Sequence, residues 1–294
     1  MRTSRTLFLS LLLVAASALA VVAPGAAPAA TPTPTLVAIR AGHHPGFDRV
    51  VFVFRGGLPT TRHVGYVRTL LGDGSGLPVR VAGRAVLQVS LSTAKAHDGG
   101  TPTVPARRVF VTPNVITAVQ SGDFENVTTY GIGLAKRTTF RVFTLRHPGR
   151  VVVDVRARFA TVTRRVYFLN AANVAAGRRP FFSARLRAVR AAAPAVGVLD
   201  RVFAGPVRSE RRHGLRLLLS GSTGFSRLRI RNDIARVRLS GGCDSHGSTV
   251  TVAGAIRPAL RQFADVRWVK ILDPSGATEN PTGNTDSIPT CLEP

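Results

Sequence analysis

The order of apolar and polar positions divides the chain into two patterns. Residues 36–157 carry short β-branched and aromatic runs separated by glycine, proline and aspartate. Arg49-Val50-Val51-Phe52-Val53-Phe54-Arg55 ends on Gly56-Gly57, and Val86, Val89 and Leu91 mark a further run. Val115-Ile116-Thr117-Ala118-Val119 follows Pro113-Asn114. Residues 138–145 alternate, His147-Pro148-Gly149 turns, and Arg150-Val151-Val152-Val153-Asp154-Val155 runs back. Short strands between turn signals, with no convincing amphipathic helix, predict an all-β sandwich or barrel over 36–157.

A break at 157–163 leads into mixed periods over 164–294. Strands are predicted at 165–169, 182–189 and 266–272. Phe225–Ile230 and Ile234–Leu239 flank Arg231-Asn232-Asp233 and predict a hairpin. A helix over 194–204 starts at Pro194, spaces Val198, Leu199, Val202 and Phe203 helically, and stops at Gly205-Pro206. A second helix over 249–263 places Val252, Ile256, Leu260 and Phe263 on one face. The pattern is that of a separate α+β domain.

Ahead of both lies a targeting pattern. Arg2 and Arg5 precede an apolar stretch from Leu7 to Ala16, and Ala18-Leu19-Ala20 fits the small-x-small cleavage rule, as does Ala27-Pro28-Ala29. Residues 1–29 are therefore a signal peptide and the start of a linker, with cleavage after Ala20 or Ala29. An uncleaved anchor is the alternative, since apolar residues continue to Ala23 before Pro24-Gly25 breaks the run. Residues 30–35 complete a Pro/Thr linker. No cysteine lies near the site, so a lipoprotein anchor is not expected. The expectation is an exported, extracellular or wall-associated protein with no transmembrane domain after cleavage and no nucleic-acid partner.

Export changes how the cysteines read. Cys243 and Cys291 are an isolated pair, which predicts a disulfide tying down the C-terminal tail. The competing reading is a metal site through Cys243-Asp244-Ser245-His246, but the paired spacing of zinc ligands is missing. No metal and no cofactor is expected.

Charge supplies the positive signal. The 294 residues hold 40 Lys+Arg, of which 37 are arginine, against 15 Asp+Glu, for a net +25. The excess is +10 over 36–157 and +13 over 158–294, so it is diffuse and no basic tail exists. An anionic partner is implied, and for an exported chain that means peptidoglycan or anionic wall polymers. Arg227, Arg229 and Arg231 alternate along one predicted strand and so share a face, with Arg236 and Arg238 on the return strand. Such a ridge of guanidiniums suits phosphate and carboxylate; a solvated polar face is the competing reading.

Catalytic patterns are missing. No G-x-S-x-G, H-E-x-x-H, Walker A or G-x-G-x-x-G occurs. Gly72-Asp73-Gly74-Ser75-Gly76 reads as a surface turn, His43-His44 as a flexible loop before a strand, and His97-Asp98 as a structural hydrogen-bonded pair. The chain is not expected to be an enzyme.

Two resemblances complete the reading. Gly46-Phe47-Asp48-Arg49-Val50-Val51-Phe52-Val53-Phe54, Tyr66-Val67, Ala94-Lys95-Ala96-His97-Asp98, Gly122-Asp123-Phe124-Glu125, Tyr130-Gly131-Ile132-Gly133-Leu134, Phe140-Arg141-Val142 and the closing Pro148-x-Arg150-Val151-Val152-Val153-Asp154 resemble the actinobacterial AMIN-like domain. The second segment resembles a GerMN domain, the module of sporulation and germination proteins. Its carriers are Val166-Tyr167-Phe168, Phe203-Ala204-Gly205-Pro206 with Glu210, Gly224-Phe225-Ser226 and Gln262-Phe263-Ala264-Asp265-Val266. The first resemblance implies a non-catalytic β-sandwich that binds peptidoglycan. Tyr66, Phe124 and Tyr130 are its candidate glycan contacts, because aromatic faces suit sugar rings. The second implies an α/β module that contacts another envelope protein in a sporulation, germination or signalling assembly. The chain departs from both families' usual company, lacking an amidase domain and a lipidation cysteine.

Overall fold

Along Phe47–Arg55 every second side chain is buried. Asp48, Val50, Phe52 and Phe54 point inward, while Phe47, Arg49, Val51 and Val53 stay partly open. This period of two organises the first half of the chain. The computed structural model describes residues 32–294; the expected signal peptide and its cleavage sites at Ala20 and Ala29 lie outside the described residues.

The strands are β1 (Thr35–His44), β2 (Phe47–Arg55), β3 (Thr61–Val67), β4 (Ala85–Ser92), the short β5 (His97–Asp98) and β6 (Thr101–Pro102), β7 (Arg107–Val109), β8 (Val115–Phe124), β9 (Val127–Leu134), β10 (Phe140–Leu145) and β11 (Gly149–Arg156). They form two main antiparallel sheets, ordered β1-β2-β11-β10 and β3-β4-β9-β8-β7. Phe52, Val153, Leu87, Val89, Tyr130 and Ile132 fill the space between the sheets. His43 and His44, expected in a loop, end β1, and His44 stacks on Phe47 with ring centroids 4.9 Å apart.

Asp48 anchors this sandwich from inside. Its carboxylate is fully buried and accepts the backbone N–H of Asn114 at 2.5 Å and of Val115 at 2.9 Å, while His43 Nδ1 lies 2.7 Å from the other oxygen. A buried carboxylate is tolerable only when its oxygens are occupied in this way. Gly133 serves a second close approach, because a Cβ there would lie 2.1 Å from the Ala82 carbonyl oxygen.

The second half is layered differently. β12 (Thr161–Asn170), the one-turn α1 (Ala171–Ala175), β13 (Phe182–Arg190), α2 (Pro194–Ala204), the short α3 (Arg208–Arg212) and β14 (Leu215–Arg216) come first. β15 (Ser222–Arg231), β16 (Ile234–Gly241), α4 (Ala253–Arg261) and β17 (Trp268–Leu272) follow. One sheet is ordered β13-β12-β14 and the other β15-β16-β17. The connection through α4 lets β17 pair parallel to β16. The helices α2 and α4 each serve both sheets. Val198 and Val202 of α2 pack with Val166 and Phe168, whereas Leu199 and Phe203 pack with Phe225 and Val237. Ala255 and Ala259 of α4 join the first cluster, and Ile256 and Leu260 the second. The expected helix at 194–204 forms with those bounds; the one expected at 249–263 is confined to Ala253–Arg261. The Cys243–Cys291 disulfide forms as expected, with a Cα–Cα distance of 5.6 Å, and its closure leaves no thiolate for the metal reading.

The halves meet through arginines that donate to backbone carbonyls. Arg201 of α2 is 2% exposed and reaches the carbonyls of Phe110 at 2.9 Å and Thr112 at 2.5 Å. In return Arg80 donates to Phe203 O at 2.7 Å and Arg107 to Ala204 O at 3.4 Å, both at the carboxyl end of α2. Helix C-termini leave carbonyls unpaired and carry partial negative charge, so cations belong there. Burial pulls Arg201 down to about 10 and Arg107 to about 9, which keeps both protonated at neutral pH.

Candidate functional site

The outer face of the β1-β2-β11-β10 sheet is built by the same alternation that builds the core. Register places Arg49 opposite Asp154, Val51 opposite Val152, and Val152 opposite Phe143, so these side chains share the face turned from the core. Arg49 grips Asp154 with two hydrogen bonds, Nε to Oδ1 at 2.7 Å and Nη2 to Oδ2 at 2.8 Å. Those bonds raise Arg49 above the usual guanidinium range, against a smaller loss from burial. Its guanidinium lies 5.2 Å from the Phe47 ring centroid and 5.3 Å from that of Phe143. Arg141 also lies against Phe143, its guanidinium 5.2 Å from the ring centroid. Gly42, paired with Arg49 on β1, leaves open space where a Cβ would stand.

This arrangement offers aromatic surface for the C–H faces of a sugar ring and guanidinium donors for its hydroxyl, carboxylate or phosphate groups. Stacked cations also fix the rings and cover part of their area. Arg49 and Asp154, far apart in sequence, thus meet as a cross-strand pair beside the two phenylalanines. The signal was present in the sequence as phase: 47, 49, 51 and 53 against 48, 50, 52 and 54.

The aromatic residues singled out from sequence do not assemble. Tyr130 is fully buried between the sheets, edge-on to Phe52 at 5.7 Å, so it has no face for a glycan and is withdrawn as a contact. Tyr66 is half-buried; its hydroxyl donates to Thr138 O at 2.5 Å, and Arg137 sits 4.4 Å over its ring. Phe124 is 73% exposed, alone at the tip of the β8–β9 hairpin, where Glu125 and Asn126 both adopt positive φ.

The arginines fare differently. Arg227, Arg229 and Arg231 are exposed along β15, and Arg227 pairs with Arg238 and Arg229 with Arg236 across the hairpin. The expected shared face is realised by the alternation of the strand, and a bulge between Phe225 and Arg227 sets it opposite to Phe225. Phe225, Leu228 and Ile230 turn to the core.

His97 pairs not with Asp98 but with Asp123, Nδ1 to Oδ2 at 2.7 Å, and the other Asp123 oxygen takes the Ala96 N–H at 2.9 Å. Asp98 instead meets Arg55 at 2.8 Å. Among the described residues no group of three or more His, Cys, Asp or Glu could hold a metal ion, and no helix is long and apolar enough to cross a membrane. No curated protein and no solved structure matches the chain. Residues 34–157, which form the β-sandwich, match the AMIN-like domain family.

Proposed function

We propose that this is an exported, non-catalytic protein of the cell envelope that holds peptidoglycan or its anionic polymers through the AMIN-like sandwich. The supporting observation is the outer sheet face, where Phe47 and Phe143 lie against Arg49 and Arg141 with Asp154 fixing the central guanidinium. AMIN-like domains are associated with peptidoglycan, and the excess of +10 over 36–157 favours an anionic partner. Binding has two components. Charge attraction between exposed groups is screened over about 8 Å at physiological salt. Ring stacking is not screened.

The test is retention of the purified protein on isolated sacculi across a salt series, with the Phe47→Ala/Phe143→Ala double variant beside it and a melting curve for each. The parent should keep a salt-resistant bound fraction that the variant loses while staying folded. A folded variant that binds like the parent at every salt concentration overturns the assignment of this face.

A second reading places the C-terminal half, as a GerMN-like module, against another envelope protein in a sporulation, germination or signalling assembly. It is favoured by a groove of about 530 Å³ whose lining includes Tyr167, Phe181, Phe182, Ile288 and Leu292, and by Leu186, which is 65% exposed on β13. Cross-linking from Leu186→Cys in cells should trap one defined envelope protein; a smear indistinguishable from an exposed control cysteine rejects it.

A further inference from the structure

We infer that the outer face of the β15-β16-β17 sheet is a second binding site, which takes a linear, phosphate-rich polyanion. Register carries the inference. Arg227 stands directly opposite Arg238 and Arg229 opposite Arg236, and the second row continues to Lys270 on β17. Like charges placed directly across an antiparallel pair destabilise it. Here two such pairs stand side by side, and after a strand bulge Arg227, Arg229 and Arg231 turn outward together. A local rule broken without an internal compensation marks a functional surface.

Compensation is missing in a specific sense. Some arginines elsewhere find carboxylates: Arg49 has Asp154, Arg84 has Asp200, Arg187 has Glu210 and Arg261 has Asp286. Among the described residues, no carboxylate lies within 4.0 Å of the side-chain nitrogens of Arg227, Arg229, Arg231, Arg236 or Arg238. Arg238 is held in place by donating Nε–H to the Pro274 carbonyl at 2.8 Å. Lys270 is buried, with Nζ donating to the carbonyls of Asn280 at 2.5 Å and Thr282 at 2.9 Å, so it backs the ladder without joining the exposed surface.

The spacing selects the ligand. Alternate residues of a strand lie about 6.6–6.8 Å apart, and partners across the hairpin about 5 Å. A single phosphate engages one or two of these forks. A chain with a phosphate at each unit engages Arg227, Arg229 and Arg231 in turn and meets the second row alongside. Guanidinium forks donate in parallel to two phosphate oxygens, which lysine does not match. This site is independent of the aromatic face on the sandwich.

The experiment titrates inorganic polyphosphate against the purified protein over a salt series. The Arg227→Gln/Arg229→Gln/Arg231→Gln variant is compared with Arg178→Gln/Arg212→Gln/Arg216→Gln, which removes the same charge from exposed positions elsewhere. The ladder variant should lose about tenfold or more in affinity, and its slope of log K against log salt should shrink by about 2, at roughly 0.7 per phosphate contact. The control and the Phe47→Ala/Phe143→Ala variant should stay near the parent. Equal losses in ladder and control variants, or no loss in the ladder variant, overturn the site. Either failure leaves the sacculus test of the sandwich untouched.

Discussion

Arg84 of the sandwich and Asp200 of α2 form the one ion pair between the halves among the described residues, with Nε and Nη2 both donating to the same carboxylate oxygen at 2.9 and 2.6 Å. Burial nevertheless dominates, and Asp200 is pushed up to about 6 although Arg84 and Arg201 pull it down. Its unfolded value is about 3.9. The folded state therefore holds the proton more tightly, and the stability contributed by this group is greatest below about pH 4, falls as pH rises to about 6, and is flat beyond. Asp200→Asn keeps an acceptor toward Arg84 and removes the titration. Between pH 4 and 6 the parent should lose on the order of 2–3 kcal/mol relative to the variant, read from paired denaturant melts. Parallel curves would place the carboxyl at an ordinary value.

Arg201→Met should strip the donor from the Phe110 and Thr112 carbonyls at the centre of the seam. Orphaned buried acceptors cost about 1–3 kcal/mol each. The expected outcome is a lower melting temperature together with separation of one transition into two, seen by calorimetry. A single, unshifted transition would mean that the seam contributes nothing to cooperativity.

Removing the disulfide acts on the unfolded chain. Cys243 and Cys291 are separated by 48 residues. In the chain-entropy description, closing a loop of that length stabilises by about 4 kcal/mol. Cys243→Ser/Cys291→Ser, or reduction of the parent, should lower the urea midpoint accordingly. A midpoint insensitive to reductant would show that the tail is held by packing alone.

Asp48→Ala should be among the most damaging substitutions in the sandwich. It leaves the N–H groups of Asn114 and Val115 buried without an acceptor and releases His43. A loss of roughly 3 kcal/mol or more is expected, since hydrogen bonds to a charged group exceed neutral ones. Asp98→Ala, whose carboxylate meets Arg55 in an exposed pair, should cost under about 1 kcal/mol in the same melt.

What the sequence displayed was periodicity where nothing interrupts it. The α2 bounds and the strands around Val50 and Val152 are of this kind, and the β15–β16 hairpin shows through its turn residues despite its bulges. β1 was hidden because a bulge between Leu36 and Ala38 puts the buried Leu36 and Ile39 three apart, a helical spacing. β9 was hidden because Gly131 and Gly133, which make room for Leu70 and Ala82, leave its second half without a run of β-branched side chains. At the candidate site, phase along a strand mattered more than residue type. Tyrosine suggested sugar contact, yet Tyr130 has the inward phase and Phe47 the outward one. His97 found Asp123 rather than its neighbour, a pairing between distant strands that local sequence does not encode.

The acceptors at the seam are main-chain oxygens of Phe110, Thr112, Phe203 and Ala204. Every amino acid supplies that oxygen, so the accepting positions are free to drift in side chain as long as the backbone keeps its path. The donating positions have no such freedom, because only arginine combines the reach with several donors on one plane. Relatives that keep this junction should therefore retain Arg80, Arg107 and Arg201 while the residues they grasp vary, and a homologue that loses one of the three should show a change at the other two.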